Sequence, residues 1–264
     1  MNYDFLINEI KPLCFETGKF IKENFRKITE SDVIIKEKNS LVSFVDQEAE
    51  RMITKTLANL IPEAGFITEE ETIHNQNACT QWIIDPLDGT SNFIAGIPHF
   101  SISIALKVEE NITLGVVYSV MTGDLYHAIK GIGAFLNDNP IHVSKVNKLG
   151  NAIVATGFPY DKSKINKNLK DSLLHFVTNA RAIRRLGSAA LDLCFVAQGT
   201  FDLYYEHFLS QWDIAAGVLI VEEAGGKVFD FSGERDFLAK GEIIAANNGL
   251  DDEIIWLQSN KSNC

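Results

Sequence analysis

The chain has no apolar run long enough to cross a bilayer, and Asp4, Glu9 and Lys11 interrupt the apolar residues at its start, so neither a membrane span nor a secretory leader is expected. Only four cysteines are present, at positions 14, 79, 194 and 264, none in the short paired spacings that grip zinc or frame a disulfide scaffold. They read as reduced thiols, and Cys194, inside the apolar run from Leu191 to Ala197, reads as core filling. The six histidines form neither a triad nor a metal-ligand spacing with those cysteines, which leaves His99, His127 and His142 as structural or solvent-facing side chains. Positive charge is also scarce: 24 Lys and Arg against 35 Asp and Glu give a formal charge of −11. Such a balance repels phosphate backbones and argues against a nonspecific nucleic-acid binder. It suits either plain solubility or the collection of cations. Repeats, low-complexity tracts and flexible linkers are missing too, and the expected compartment is the cytoplasm.

What remains is a chain of 264 residues with 46% hydrophobic content, enough for one large domain or two closely packed halves. Leu6, Ile10, Leu13, Thr17, Ile21 and Phe25 recur at three- or four-residue steps and predict an amphipathic helix over 2–27. Ala49, Met52, Ile53, Thr56, Leu57 and Leu60 predict a second helix from about Asp46, closed by Pro62. Between them, 33–35 and 41–45 read as strands joined by a polar turn. Further strands are predicted at 65–68, 81–84, 100–108, 112–119 and 125–129, with Glu-Glu-Asn and Thr-Gly-Asp as hairpin turns, making an antiparallel sheet. Beyond about residue 150, strands at 152–156, 201–205 and 242–246 alternate with helices near 166–179, 188–198 and 213–224, while 161–168 reads as a long loop. Periodicity therefore predicts only a mixed chain, with an α+β half over about 1–148 and an α/β half over about 149–264.

The most informative segment is Trp82-Ile83-Ile84-Asp85-Pro86-Leu87-Asp88-Gly89-Thr90-Ser91-Asn92-Phe93, where an apolar strand runs into two carboxylates, a proline and a glycine. If the strand ends there in a bend, Asp85, Asp88 and the Leu87 carbonyl can face one space and offer hard oxygen ligands of the kind Mg²⁺ takes. The amides of Gly89 and Thr90 are then free for a phosphate if a helical turn begins, and the Thr90 hydroxyl can orient a water. Alone, Asp-x-x-Asp-Gly reads as an ordinary turn with a capping aspartate. Two other segments add context. Gly65-Phe66-Ile67-Thr68-Glu69-Glu70-Glu71 also ends a short apolar strand in carboxylates, and Trp212-Asp213 opens an apolar helix carrying Ala216, Gly217, Ile220 and Ala224.

Taken together, three motifs resemble the inositol monophosphatase family of metal-dependent phosphatases, across nearly the whole chain. They are Phe66-Ile67-Thr68-Glu69-Glu70, the segment from Trp82 to Phe93, and Trp212-Asp213-Ile214-Ala215-Ala216-Gly217 followed by Glu223-Ala224-Gly225-Gly226. The resemblance implies the layered αβαβα sandwich of the inositol monophosphatase and fructose-1,6-bisphosphatase type. It implies that Glu69, Asp85 and the Leu87 carbonyl hold one Mg²⁺, and that Asp85, Asp88 and Asp213 hold a second. A third, weaker ion is expected near Glu69 and Asp46, with Glu70 supporting that outer shell. Asp46, in Ser43-Phe44-Val45-Asp46-Gln47-Glu48, matches the aspartate that pairs with Thr90 to activate water. The carboxylates at 46, 69, 85, 88 and 213 would repel one another and a phosphate dianion; two or three Mg²⁺ reverse that repulsion, and metals about 3.5–4 Å apart stabilise attacking and leaving oxygens in an in-line displacement.

The resemblance also implies that the segment Arg185-Leu186-Gly187-Ser188-Ala189-Ala190, through Gly187, Ser188 and Ala189, and Glu206 in Tyr204-Tyr205-Glu206 contact the sugar-alcohol ring, with Asp88, Gly89 and Thr90 near the phosphate. Ser188 stands where threonine is common, Ser40 where many relatives carry aspartate, and Leu87 where isoleucine is frequent; the last is harmless because the ligand is a backbone carbonyl. The expected reaction is hydrolysis of a small polyol phosphate, myo-inositol 1-phosphate leading. The rivals are fructose 1,6-bisphosphate, adenosine 3',5'-bisphosphate and histidinol phosphate. A rival of another kind is a binding role with the transcription machinery. Lithium sensitivity and a homodimer are family expectations; no direct nucleic-acid or membrane partner is expected.

Overall fold

Alternation of apolar side chains along the central strands decides the architecture, because each sheet buries both of its faces. The computed structural model describes residues 1–27, 33–37, 40–71 and 78–259, leaving aside the side chains of 33–37 and 40–43. Two helices, α1 (Tyr3–Asn24) and α2 (Phe44–Leu60), flank a hairpin of β1 (Val33–Glu37) and β2 (Ser40–Ser43). There follow β3 (Gly65–Thr68), β4 (Thr80–Asp88), α3 (Thr90–Ala95), β5 (Ser101–Val108), β6 (Asn111–Ser119), β7 (Leu125–Ile129), β8 (Gly133–Leu136) and β9 (Asn139–Pro140). The rest of the chain forms β10 (Ile153–Thr156), α4 (Lys167–Asn179), β11 (Ala182–Arg184), α5 (Ala189–Ala197), β12 (Leu203–His207) and α6 (Gln211–Glu223). It ends with β13 (Lys227–Phe229), α7 (Phe237–Lys240), β14 (Glu242–Ala246) and α8 (Asp251–Ser259).

One sheet has seven strands in sequence order, β3 to β9; the other has five, in the order β11-β10-β12-β14-β13. On the large sheet, Trp82, Ile84, Ile102, Ile104 and Val116 pack against α1 and α2, while Ile83, Ala105 and Val117 face the opposite way onto α5 and α6. The small sheet repeats this period-2 pattern, with Tyr204, Ile243 and Ala245 on the α5–α6 side and Leu203, Tyr205, Ile244 and Ala246 toward α4 and α8. The sequence of layers is thus helix, sheet, helix, sheet, helix, the expected αβαβα sandwich. Helices α5 and α6 lie between two sheets and are apolar all round, as a doubly covered helix must be. Close approach needs small residues: a Cβ on Gly115 of β6 would stand 2.7 Å from the Ala216 carbonyl oxygen of α6.

Most predicted elements form within a few residues of their expected limits. The first sheet departs from the expected antiparallel arrangement in one place, since β3 and β4 are parallel. Elements without a legible pattern are short or polar: α3, α7, β8, β9, β11 and β13, and also α8, which opens on Asp251-Asp252-Glu253 and buries only Ile254 and Leu257. The expected loop at 161–168 contains a short 3₁₀ turn at Lys162–Lys164 and the first residues of α4. Cys14 and Cys194 are buried and free, and Cys79 is exposed and free; Cys264, the Ser40 side chain and the turn at 38–39 lie outside the described residues. Among the described residues, no helix is long and apolar enough to cross a membrane.

Candidate functional site

The site is built around an irregularity in β4. The expected bend after Ile84 is instead a bulge: β4 continues to Asp88, and its pairing with β5 skips, so that Asp85 lies opposite Ser103 and Asp88 opposite Ser101. Three residues on β4 therefore span two on β5. In a regular strand, residues three apart face opposite sides of the sheet; the extra residue restores parity, so Asp85 and Asp88 project to the same side as Ser101, Ser103 and Ala105. Pro86, which has no N–H for the ladder, sits within the skip, and the Leu87 amide donates to Asp85 Oδ1 at 2.9 Å. That side of the sheet faces the N-termini of α5 and α6, where Ser101 and Ser188 hydroxyls meet at 3.1 Å and the Ser103 hydroxyl donates to the Trp212 carbonyl at 3.2 Å.

Asp213 is the third residue of α6 and accepts from the Ser210 amide at 2.6 Å, which locks its side chain in a capping box. Oxygens of Asp85, Asp88 and Asp213 all lie within 4.8 Å of one another, the sole such group among the described residues. Glu69 lies outside this triad but near it, just past β3, and its charge reaches both Asp85 and Asp213. A residue that the sequence reading missed holds it there. Glu50, fully buried on α2, accepts from the Thr68 hydroxyl at 2.9 Å and from the Glu70 amide at 2.7 Å, clamping both sides of Glu69. Asp46 is buried one turn earlier and so shares the helix face of Glu50. A buried Glu in an amphipathic helix is the signal that could have revealed the clamp. The Thr90 hydroxyl donates to the Leu87 carbonyl at 3.0 Å.

Burial, followed by the charges of Glu69, Asp88 and Asp213, holds the Asp85 carboxyl well above the usual carboxylate range. Asp213 is raised by burial and then by Asp88 and Glu69. Burial pushes Asp88 up to about 6, although hydrogen bonds from Ser188 and the Ala190 amide and the charge of Arg185 oppose the rise. These acids cannot all ionise beside one another without a countercharge. A converging set of hard carboxylate oxygens, each raised first of all by burial, fits a divalent cation of the Mg²⁺ or Ca²⁺ kind.

Beside the triad lies a cavity of about 90 Å³ that brings together Asp88, Gly89, Gly187, Ser188, Ala189, Glu206 and Asp213, all seven singled out from the sequence. Thr90, Asp85 and Leu87 do not line it. The Ser188 hydroxyl donates to Asp88 Oδ2 at 2.6 Å, and the Ala190 amide donates to the same oxygen at 2.8 Å, so α5 presents its N-terminus to Asp88. Gly187 has φ +91°, and the Asn92 amide holds this loop by donating to the Leu186 carbonyl at 2.8 Å. Glu206 accepts from the Tyr204 hydroxyl at 2.6 Å, and burial pushes its carboxyl up to about 7. A Cβ on Gly157 would overlap the Glu206 carboxylate, so this glycine, unremarked in the sequence, makes the room that Glu206 occupies. Tyr160 and Arg185 also line this wall. A larger groove of about 280 Å³ runs between Phe15 on α1 and Tyr118 on β6, but it holds no carboxylate cluster and is the weaker candidate.

Comparison with known proteins agrees with this arrangement. The model of the inositol monophosphatase family matches residues 2–262. An inositol-1-monophosphatase of Rhizobium meliloti is 40% identical over 247 residues, covering 93% of this chain and 92% of that protein. A Nus factor SuhB of Pasteurella multocida is 37% identical over 241 residues, covering 91% and 90%. The crystal structure of the extragenic suppressor protein suhB of Bartonella henselae superposes with a TM-score of 0.90 at 35% identity, over 98% of this chain and 99% of that one. With the motifs, the five layers and a match over nearly its full length in accord, the chain belongs to the inositol monophosphatase family.

Proposed function

We propose that the protein hydrolyses the phosphate monoester of a small polyol with Mg²⁺ as cofactor, and that myo-inositol 1-phosphate is its leading substrate. The observation that carries this reading is the triad Asp85, Asp88 and Asp213, its oxygens within 4.8 Å of one another beside a cavity that also contains Glu206. Asp85, Asp88 and Asp213, with Glu69 and the Leu87 carbonyl, are the groups that would hold two or three ions, Asp85 being shared. Bound there, Mg²⁺ supplies charge against the phosphate and lowers the pKa of an attacking water. The residues do the rest. Asp46 takes the proton of that water, and the Thr90 hydroxyl orients it after turning from the Leu87 carbonyl. Gly89, with φ +100° and no side chain to cap α3, leaves the first amides of that helix to the phosphate. Glu206 accepts hydrogen bonds from ring hydroxyls, oriented for this by the Tyr204 hydroxyl.

The test is phosphate release by the purified protein from a panel of inositol 1-phosphate, fructose 1,6-bisphosphate, adenosine 3',5'-bisphosphate and histidinol phosphate, with Mg²⁺ and with chelator. Mg²⁺-dependent turnover, fastest on a polyol phosphate, is expected; no turnover on any ester sinks the proposal, and a preference for the nucleotide sinks the polyol assignment. A homodimer in solution is part of the same reading, checked by light scattering. A second reading, a binding role with the transcription machinery, is favoured by the relatives named Nus factor SuhB. Asp88→Asn separates the two: a cellular phenotype that survives the loss of phosphate release belongs to binding.

A further inference from the structure

Away from the acidic triad, the groove of about 280 Å³ runs between α1, which supplies Phe15, Lys19, Lys22 and Glu23, and the end of β6 with its turn, which supply Tyr118 and Gly123. Its floor is aromatic. Glycine weakens a helix interior, but Gly18 of α1 has a reason to be there: a Cβ would stand 2.4 Å from Tyr118 Cε1, so the tyrosine ring lies on bare helix backbone. Phe15, one turn earlier, meets that ring edge to face, with centroids 5.4 Å apart and planes at 67°. Phe15 nevertheless stays 48% exposed, which leaves an apolar ring facing water on a concave wall.

The polar groups in the groove are donors without acceptors. Tyr118 is only 9% exposed, yet its hydroxyl makes no hydrogen bond among the described residues, whereas a buried tyrosine hydroxyl ordinarily finds a partner. Burial, followed by Cys14 and Asp124, raises its proton affinity, so the group keeps its proton and acts as a donor. Lys22 makes neither an ion pair nor a side-chain hydrogen bond among the described residues, while Lys19 lies 3.9 Å from Glu23. Two ammonium groups against one carboxylate make the groove locally positive, in a chain whose formal charge is −11. That is the reverse of the acidic cavity, and it favours an anion. A monoanion suits it better than a dianion, because Glu23 stands in the same groove. The volume lies at the lower limit of small-molecule pockets, ~300 Å³, and leaves room for one ring or two fused ones.

We propose that this groove binds a small aromatic carboxylate, its ring against Phe15 and Tyr118 and its carboxylate between the Lys22 ammonium and the Tyr118 hydroxyl. The site is separate from the acidic cavity and does not depend on the phosphatase reading.

Titration of the full chain in Mg²⁺, followed by backbone amide shifts in NMR, tests it with 1-naphthoate, the neutral 1-naphthalenemethanol and the saturated cyclohexanecarboxylate. Naphthoate is expected to shift the amides of Lys19, Lys22 and Gly123 with a Kd of about 1 mM, the scale for a ligand of this size. The alcohol and the saturated acid should each bind about fivefold more weakly. Tyr118→Phe should weaken naphthoate about fivefold and Lys22→Ala about threefold, while Lys55→Ala, on the exposed side of α2, should leave it unchanged. Lys22 is exposed, so its variant reports on binding even if Tyr118→Phe fails to fold. Equal binding of acid and alcohol, an unchanged Kd in Lys22→Ala, or shifts confined to Gly89 and Gly187 of the acidic cavity overturns the proposal. So does the lack of any shift at about 10 mM naphthoate. Groove amides that shift with protein concentration alone would make this face a contact between copies of the chain, and would overturn it too.

Discussion

Neutralising Asp88 should stabilise the metal-free protein while abolishing its stabilisation by Mg²⁺. The Asp88 carboxyl is buried and pushed from an ordinary 3.8 to about 6, with burial as the chief cause. A raised carboxyl means that the folded chain holds the proton more tightly than the unfolded chain, so a cost to stability appears as the pH rises through the window between those values and persists above it. Above pH 7 that difference corresponds to about 3 kcal/mol. At pH 5 roughly half of it remains. In Asp88→Asn the amide oxygen can still accept from the Ser188 hydroxyl and the Ala190 amide, so the charge goes and the contacts stay. Allowing for an imperfect fit of the new NH₂ group, the gain at pH 8 should be about 1–3 kcal/mol, or roughly 3–10 °C in Tm for a chain of this size. Thermal melts followed by circular dichroism in EDTA at pH 5 and pH 8, each repeated with saturating Mg²⁺, measure both effects. An Asn variant less stable than the natural protein in EDTA at pH 8, or one that keeps the full rise in Tm with Mg²⁺, would refute the reasoning.

Three further outcomes follow from the same geometry. Glu50→Gln replaces one acceptor of the clamp on Thr68 and Glu70 with a donor, at a cost of about 1–3 kcal/mol. Because Glu69 then loses its fixed position, the Mg²⁺ concentration for half-maximal activity should rise about tenfold or more, and an unchanged Mg²⁺ titration would count against the clamp. Gly157→Ala places a methyl group on the Glu206 carboxylate and should raise KM for a polyol phosphate by roughly tenfold, with little change in Tm; equal kinetics would show that Glu206 does not touch substrate. Since burial raises Glu206 to about 7, its ionised, hydrogen-bond-accepting form gains population as pH rises through 7. KM should therefore fall across that range in the natural protein and lose that step in Glu206→Gln, as read from initial rates between pH 6 and pH 8.5.

Much of this was legible because it is local. The apolar runs Trp82 to Ile84 and Ile102 to Leu106, helical spacing in α1 and α2, and three motifs each carried on one strand end or helix start are properties of neighbours along the chain. Such motifs identify the family before any contact is known. One local expectation nevertheless gave way. The bend after Ile84 became a bulge within a longer strand, because β5 offers Ser101 and Ser103 as partners on both sides of the skip.

By itself, then, the sequence determined which residue types the site contains and that its chemistry is that of carboxylates and a cation. Only the tertiary structure decided how they converge. Parity across β4 and β5 turns Asp85 and Asp88 to one side; α6 brings Asp213 from 125 residues beyond Asp88; α2 sends Glu50 to clamp the strand that leads to Glu69. Gly157 shows the limit most clearly. Nothing in its neighbours along the chain marks it, because its reason for being glycine is a carboxylate 49 positions away, brought there by the parallel pairing of β10 with β12.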